Sequence, residues 1–310
     1  MDQAQTLRKL AGERQERPRP VLPGAGSGRP RVIAMTSGKG GVGKTNLVLN
    51  LAISLAALQR QVFVLDADMG LANVDVLLGL TPPYTLEHVM KGQREVSEVV
   101  VTGPRGVRIL PSSSGISEMS EMSYEEQMRL FQELSRLDED IDYLFIDTGA
   151  GISSNVLRFN ASAGEVVVVA NPEPTAITDA YALIKLLAIK YHVRDFSLIA
   201  NSVRSEADGQ AVYERLNGVC TQFLRISLNF LGSVPFDEYM HKAVRKQVPL
   251  VESFPSSPAA KSIRRIAAVL DQRPALTRTL SSGPVPTPAE PASSLPAFWD
   301  RLLHWKKSKE

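Results

Sequence analysis

Between residues 31 and 270 the chain alternates short, mostly apolar runs with longer stretches in which apolar residues recur every three or four positions. The runs are VIAMT (32–36), VFVL (62–65), VRIL (107–110), YLFI (143–146), EVVVVA (165–170), FSLIA (196–200) and FLGSV (230–234). They lack the in–out alternation of a half-exposed strand, so they suit strands covered on both faces, as in a parallel sheet. Most intervals between them can hold a crossover helix, and TNLVLNLAISLAALQ (45–59) is the clearest. The pattern predicts an α/β fold, a doubly wound and mostly parallel sheet with ligands at the carboxyl ends of its strands. No internal repeat is visible.

The pattern stops at both ends. Residues 1–30 begin with a short helical stretch and become rich in Pro, Arg and Gly, which reads as a head and a flexible linker. Residues 271–294 are a Pro/Ser-rich linker with too few large apolar groups to fold alone. In 295–310 the apolar residues Leu295, Phe298, Trp299, Leu302, Leu303 and Trp305 fall on one helical arc of roughly 160°. Asp300, Arg301, His304 and Lys307 lie opposite. Such a helix suits a membrane interface; docking on its own domain or on a partner is the alternative the residues leave open.

Composition narrows the function. Hydrophobic residues make up 44% and charged residues 22%, which suits a soluble domain with a real core. A net charge of +2 gives no general pull towards nucleic acid, so none is expected as a direct partner. The single cysteine, Cys220, excludes an internal disulfide or a CxxC site and reads as a small buried hydrophobe. Cysteine usage fits the cytoplasm. The polar amino terminus is unlike a secretory signal, and no apolar run reaches the ~20 residues a spanning helix needs.

The chemistry is concentrated at GKGGVGKT (38–45), which satisfies G-x-x-x-x-G-K-[ST] between a strand and a helix. Gly38, Gly40, Gly41, Val42 and Gly43 would turn backbone N–H groups onto phosphate oxygens, helped by the helix N-terminus. Lys44 would reach the β- and γ-phosphates and Thr45 would ligate Mg²⁺. Lys39 is one lysine more than such a loop needs, and from its position it points away from the nucleotide that Lys44 serves. Asp66, in VFVLDAD, is a strand-end carboxylate beside the loop and suits Mg²⁺ held through water. YLFIDTGAG (143–151) ends a strand with Asp147, a second carboxylate for the Mg²⁺ shell, and then a glycine turn that can respond to the γ-phosphate.

The form KGGxGK[ST], with DAD and IDTGAG, resembles the MinD/ParA class of P-loop ATPases. That resemblance implies ATP and Mg²⁺ as cofactors, and an ATP-sandwiched homodimer in which Lys39 contacts the partner's phosphates. It gives Asp68 the task of orienting the attacking water and places Asn73 at the partner subunit. It also has Asn201 and Pro235 contact the adenine, and Asn46 close the nucleotide set where most of the class has Thr or Ser. Glu173 and Pro174 match a class segment at the dimer border and receive no catalytic role. The class carries a C-terminal targeting helix, which assigns Phe298, Trp299, Leu302, Leu303 and Trp305 to inner-membrane lipid.

The head narrows the resemblance. Asp2, Gln3, Ala4, Leu7 and Arg8 match DQAxxLR, the mark of the flagellar-number-regulator branch, FlhG (also FleN or YlxH). This implies an FlhF-type GTPase as partner, activated through Gln3, together with flagellar switch (C-ring) proteins and a flagellar transcription regulator. The ATP-bound dimer would sit peripherally on the cytoplasmic face of the cell membrane. Competing readings are a MinD-type division-site ATPase and a ParA-type DNA-partitioning ATPase, which the low charge and short head oppose. An iron–sulfur carrier lacks its cysteines here, and a metabolic P-loop kinase explains neither Lys39 nor the tail.

Overall fold

The first apolar run lies in a strand over residues 31–37 whose seven residues are all buried, as are all six of the run at 165–170, as strands covered on both faces require. The computed structural model describes residues 30–68, 74–111, 141–274 and 295–303. The head motif at Asp2, Gln3, Ala4, Leu7 and Arg8, and also Asn73 and Trp305, lie outside the described residues.

The strands are β1 (Arg31–Ser37), β2 (Val62–Ala67), β3 (Val101–Thr102), β4 (Arg108–Leu110), β5 (Tyr143–Ala150), β6 (Glu165–Ala170), β7 (Phe196–Val203) and β8 (Asn229–Pro235). They form one sheet in the order β3-β4-β2-β5-β1-β6-β7-β8. Among the described residues only the β3–β4 pair is antiparallel. β3 has two residues, too short to show a pattern, and the sequence reading missed it. From β1 the sheet is built outwards in both directions, so the crevice at its carboxyl end is where such folds take ligands.

The helices are α1 (Lys44–Ala57), α2 (Val74–Leu78), α3 (Leu86–Met90), α4 (Val96–Val99), α5 (Ser154–Ser162), α6 (Pro174–Lys190), α7 (Glu206–Leu224), α8 (Glu238–Lys246), α9 (Leu250–Ser253), α10 (Pro258–Gln272) and α11 (Leu295–Leu303). Alternate residues of β1 face opposite layers. Ile33 and Met35 pack with α1 and α10, whereas Val32 and Ala34 pack with α3, α4, α5 and α11. α6 and α7 cover β6 and β7, and Cys220 lies in that core with its thiol pushed up to about 12 by burial.

α10 runs to Gln272, beyond the expected domain end at 270, because its last turn is tied down. Arg60 holds Asp271 at 2.8 Å, and the Tyr143 hydroxyl donates to the same carboxylate at 3.0 Å. Arg31 ion-pairs with Glu165 at 2.7 Å and donates to the Leu270 carbonyl.

The tail helix α11 is docked on its own domain in this structure. Leu295, Phe298, Trp299 and Leu302 do not form a free lipid-facing surface; they are buried against Ala34, Ile146 and Phe159. Polar groups fasten the docking at the C-terminal end of α11. Arg158 Nε donates to the Leu302 carbonyl at 2.6 Å, and Arg301 donates to the Ser162 carbonyl at 2.9 and 2.6 Å. Leu303 is the last described helical residue. Among the described residues no helix is long and apolar enough to cross a membrane.

Candidate active site

β1 delivers the chain into the glycine loop, and α1 begins at Lys44. Gly41 and Gly43 have φ of 77° and 87°, a left-handed conformation open to glycine at little cost. At Gly40 and Gly41 an added Cβ would meet nothing within 4 Å, which leaves a cradle of exposed backbone N–H groups. Gly38 is held closely against a neighbouring helix. A Cβ there would come within 2.2 Å of the Asp179 backbone, so Gly38 lets the loop press onto α6. No acidic residue occupies the first turn of α1, whose positive end is left for an anion.

The buried end of the loop meets two carboxylates. Parallel pairing of β2 with β5 sets Asp66 directly beside Asp147. Lys44 ion-pairs with Asp147, and Thr45 donates its hydroxyl to the same group. Asp147 Oδ2 is buried without a hydrogen-bond partner. Burial, before any other cause, raises the Asp147 pKa, against the opposing pull of Lys44. Burial and then the neighbouring Asp147 push Asp66 up to about 7, although it accepts from the amides of Asp68 (3.1 Å) and Val74. Two crowded carboxylates, one with an orphaned oxygen, and a threonine hydroxyl fit a hard divalent cation. Mg²⁺ suits them, since it binds through one or two carboxylates, waters and substrate phosphate. Thr45, Asp66 and Asp147 would hold it, and it would neutralise charge on the transferred phosphate.

The raised Asp66 pKa has a stability consequence. The folded protein keeps this proton up to about pH 7 while the unfolded chain loses it near 3.8. Stability of the metal-free protein therefore falls as pH rises across that window, and the penalty is full above it. Asp66→Asn should raise the metal-free melting temperature at pH 8 by on the order of 5 °C and leave it nearly unchanged at pH 4. Calorimetry in EDTA at the two pH values checks this.

Asp68 stands at the mouth of the site, its carboxylate beside Gly149, where a Cβ would be 3.4 Å from Asp68 Oδ1. Asp68 is thus near Gly149, two residues after Asp147. Asn46 lies in the first turn of α1 and its carbonyl accepts from Asn50 at 2.7 Å. Asn201 lies near the end of β7. Its Nδ2 donates to the Val42 carbonyl at 2.7 Å and braces the loop from behind. Pro235 closes β8 and pairs in register with Val203, on the same rim.

Lys39 and Lys44 point to different places. Lys44 is buried, whereas Lys39 is half-exposed and its Nζ binds Glu173 at 2.6 Å and Thr175 Oγ1 at 3.2 Å. Its hydrogen bond and charge hold the Glu173 carboxyl below the usual range. The sequence reading left Glu173 without a task. Its signal was the Glu-Pro at the start of a helix that packs against the loop.

A ParA family model described as an iron-transfer P-loop NTPase, NUBPL, matches residues 29–271. The antiactivator FleN of Pseudomonas aeruginosa is 44% identical over 273 residues, 88% of this chain and 93% of that protein. The flagellum site-determining protein YlxH of Helicobacter pylori is 35% identical over 90% of this chain and 91% of its own. Among solved structures, the MinD cell division protein of Aquifex aeolicus aligns with a TM-score of 0.63 at 28% identity, covering 77% of this chain and 96% of that one.

Proposed function

This chain belongs to the ParA family of P-loop NTPases, its activity is ATP hydrolysis, and we propose that it is an ATP-dependent dimerising switch that sets flagellar number and placement. The observation that carries the dimer is the split between the two lysines. Lys44 is committed inside its own site, while Lys39 reaches out and is held by a solvent-exposed ion pair. Exposed pairs are weak, so the lysine can exchange Glu173 for the phosphates of a second nucleotide. A cation arriving there as charge develops would stabilise the transition state, which makes dimerisation and hydrolysis one event.

Asp68→Ala with ATP should give a stable dimer by light scattering, and adding Lys39→Ala should return it to monomer. A Lys39→Ala protein that dimerises and turns over ATP like the parent would sink the reading. Glu173→Ala removes the competing partner of Lys39 and should tighten the ATP-bound dimer about threefold in analytical ultracentrifugation.

In the dimer the tail leaves its seat on α5 and its apolar face enters the cytoplasmic side of the membrane, where two short helices gain avidity that one lacks. The head would act on an FlhF-type GTPase, with Gln3 placing a water; flagellar switch proteins and a flagellar transcription regulator are the further partners. The relative YlxH, named as a flagellum site-determining protein, supports this branch, and the antiactivator FleN is the more similar of the two by identity. GTP hydrolysis by an FlhF-type GTPase should rise with the full chain and stay flat with Gln3→Ala. Stimulation by neither protein would move the assignment to division-site placement.

A further inference from the structure

Gln247 lies just past the end of α8, the helix that follows Pro235. Its backbone is left-handed, with φ 52°, so glycine could replace it without strain. Its Nε2 donates to the Val76 carbonyl at 2.8 Å. Gly79 makes room for it, since a Cβ there would stand 3.3 Å from Gln247 Oε1. Val76 belongs to α2, and the first amide of α2, that of Val74, donates to the Asp66 carboxylate.

The other end of α8 is fixed as firmly. The Asp237 carboxylate accepts from the Tyr239 amide at 2.9 Å and from the Ala259 amide at 3.0 Å, tying the start of α8 to α10. α8 is thus a strut. At one end is the rim that carries Pro235, and at the other a single side-chain hydrogen bond to the short helix that orients Asp66.

We propose that Gln247 is a positioning residue that couples the seating of the nucleotide base to the holding of Mg²⁺, by fastening α8 to α2. The inference rests on the reading of Pro235 as a base contact and Asp66 as a Mg²⁺ carboxylate. The bond is exposed, so its loss changes overall stability little; Val74 keeps the start of α2 in the core, and the bond from Gln247 fastens the middle of the helix to α8. Base contacts that draw α8 inward would carry α2, and with it the Val74 amide, towards Asp66.

The test compares how much Mg²⁺ strengthens binding of ADP with how much it strengthens binding of pyrophosphate, which has no base, by calorimetry on the full chain. The parent should show the larger enhancement for ADP. Gln247→Glu keeps the shape but cannot donate to a carbonyl, and Gln247→Gly keeps the backbone but removes the side chain. Both should cut the ADP enhancement about fivefold, the worth of one hydrogen bond, and leave that for pyrophosphate unchanged. Asp66→Asn should reduce both enhancements. If Asp66→Asn does so while both Gln247 variants match the parent, the coupling is overturned and the metal reading stands. If Asp66→Asn changes neither enhancement, the metal reading fails and the inference falls with it.

Discussion

Replacing Lys44 with alanine should reduce ATP turnover by a factor of about a thousand and should also destabilise the protein before any nucleotide is added. The second effect follows from burial. Lys44 and Asp147 form an ion pair shielded from solvent, with side chains 6% and 0% exposed. Removing one member of such a pair leaves the other charge uncompensated in a poor dielectric, at a cost of about 3–5 kcal/mol. Asp147 has an escape, because burial already raises its pKa and it can take up a proton. The destabilisation of Lys44→Ala should therefore be largest at pH 8 and shrink towards pH 5. Lys39→Ala shows the contrast, since Lys39 is exposed and its removal should leave the melting temperature within about 1 °C of the parent at either pH. Calorimetry at both pH values with a fluorescent-ADP titration reads the two effects. A melting temperature unchanged in Lys44→Ala at both pH values would mean that Asp147 carries no charge even beside Lys44, and would remove Asp147 from the ionised Mg²⁺ set.

Those two lysines also mark what the sequence could tell and what it could not. The loop, the doubly wound sheet and the strand-end placing of Asp66 and Asp147 follow from short-range pattern, because a glycine loop between a buried strand and a helix has few uses. Strand extents were read short where polar residues continue a buried strand. β5 runs through Asp147 to Ala150, and β2 includes Asp66. No period announces these residues, since their burial serves chemistry instead of packing. Contacts between distant segments were the least legible. Glu173 on Lys39, Asn201 on the Val42 carbonyl and Gln247 on Val76 join residues far apart in the chain through single polar bonds. The tail was legible as an amphipathic helix, but its apolar arc is equally suited to lipid and to a protein groove. Only the presence of Phe159, Ile146 and Ala34 beneath it decides where it rests in this structure.

Arg158→Ala should free the tail and let the protein bind anionic vesicles without ATP, with partitioning raised by roughly tenfold to a hundredfold. Arg158 is the suited position because it belongs to α5 and not to the tail, so the tail's own apolar face is untouched. It is 6% exposed, and its guanidinium donates through Nε and Nη2 to the carbonyl of Leu302, at the tail helix's last described turn. Charge-assisted bonds of this kind contribute about 1.5–3 kcal/mol, which sets the expected factor. Burial lowers the Arg158 pKa, so the group is held charged at a cost that the Leu302 carbonyl offsets. The docked state carries a further cost, since Trp299 Nε1 is buried there without a partner. Both features suit a seat that can be vacated. α5 starts three residues after Gly151, the glycine turn that follows Asp147, with Ser153 as its N-cap. A shift of that turn on meeting a γ-phosphate would therefore move the helix that carries Arg158. The same vesicle assay with Arg158→Ala and Phe298→Ala combined should cut binding back towards the background, because the freed tail then lacks one of its aromatic anchors. Vesicle binding by the double variant equal to that of Arg158→Ala would show that another surface meets the lipid. No gain in Arg158→Ala, with the tail's amide exchange faster than in the parent, would make the tail a protein-docking helix and not a membrane one.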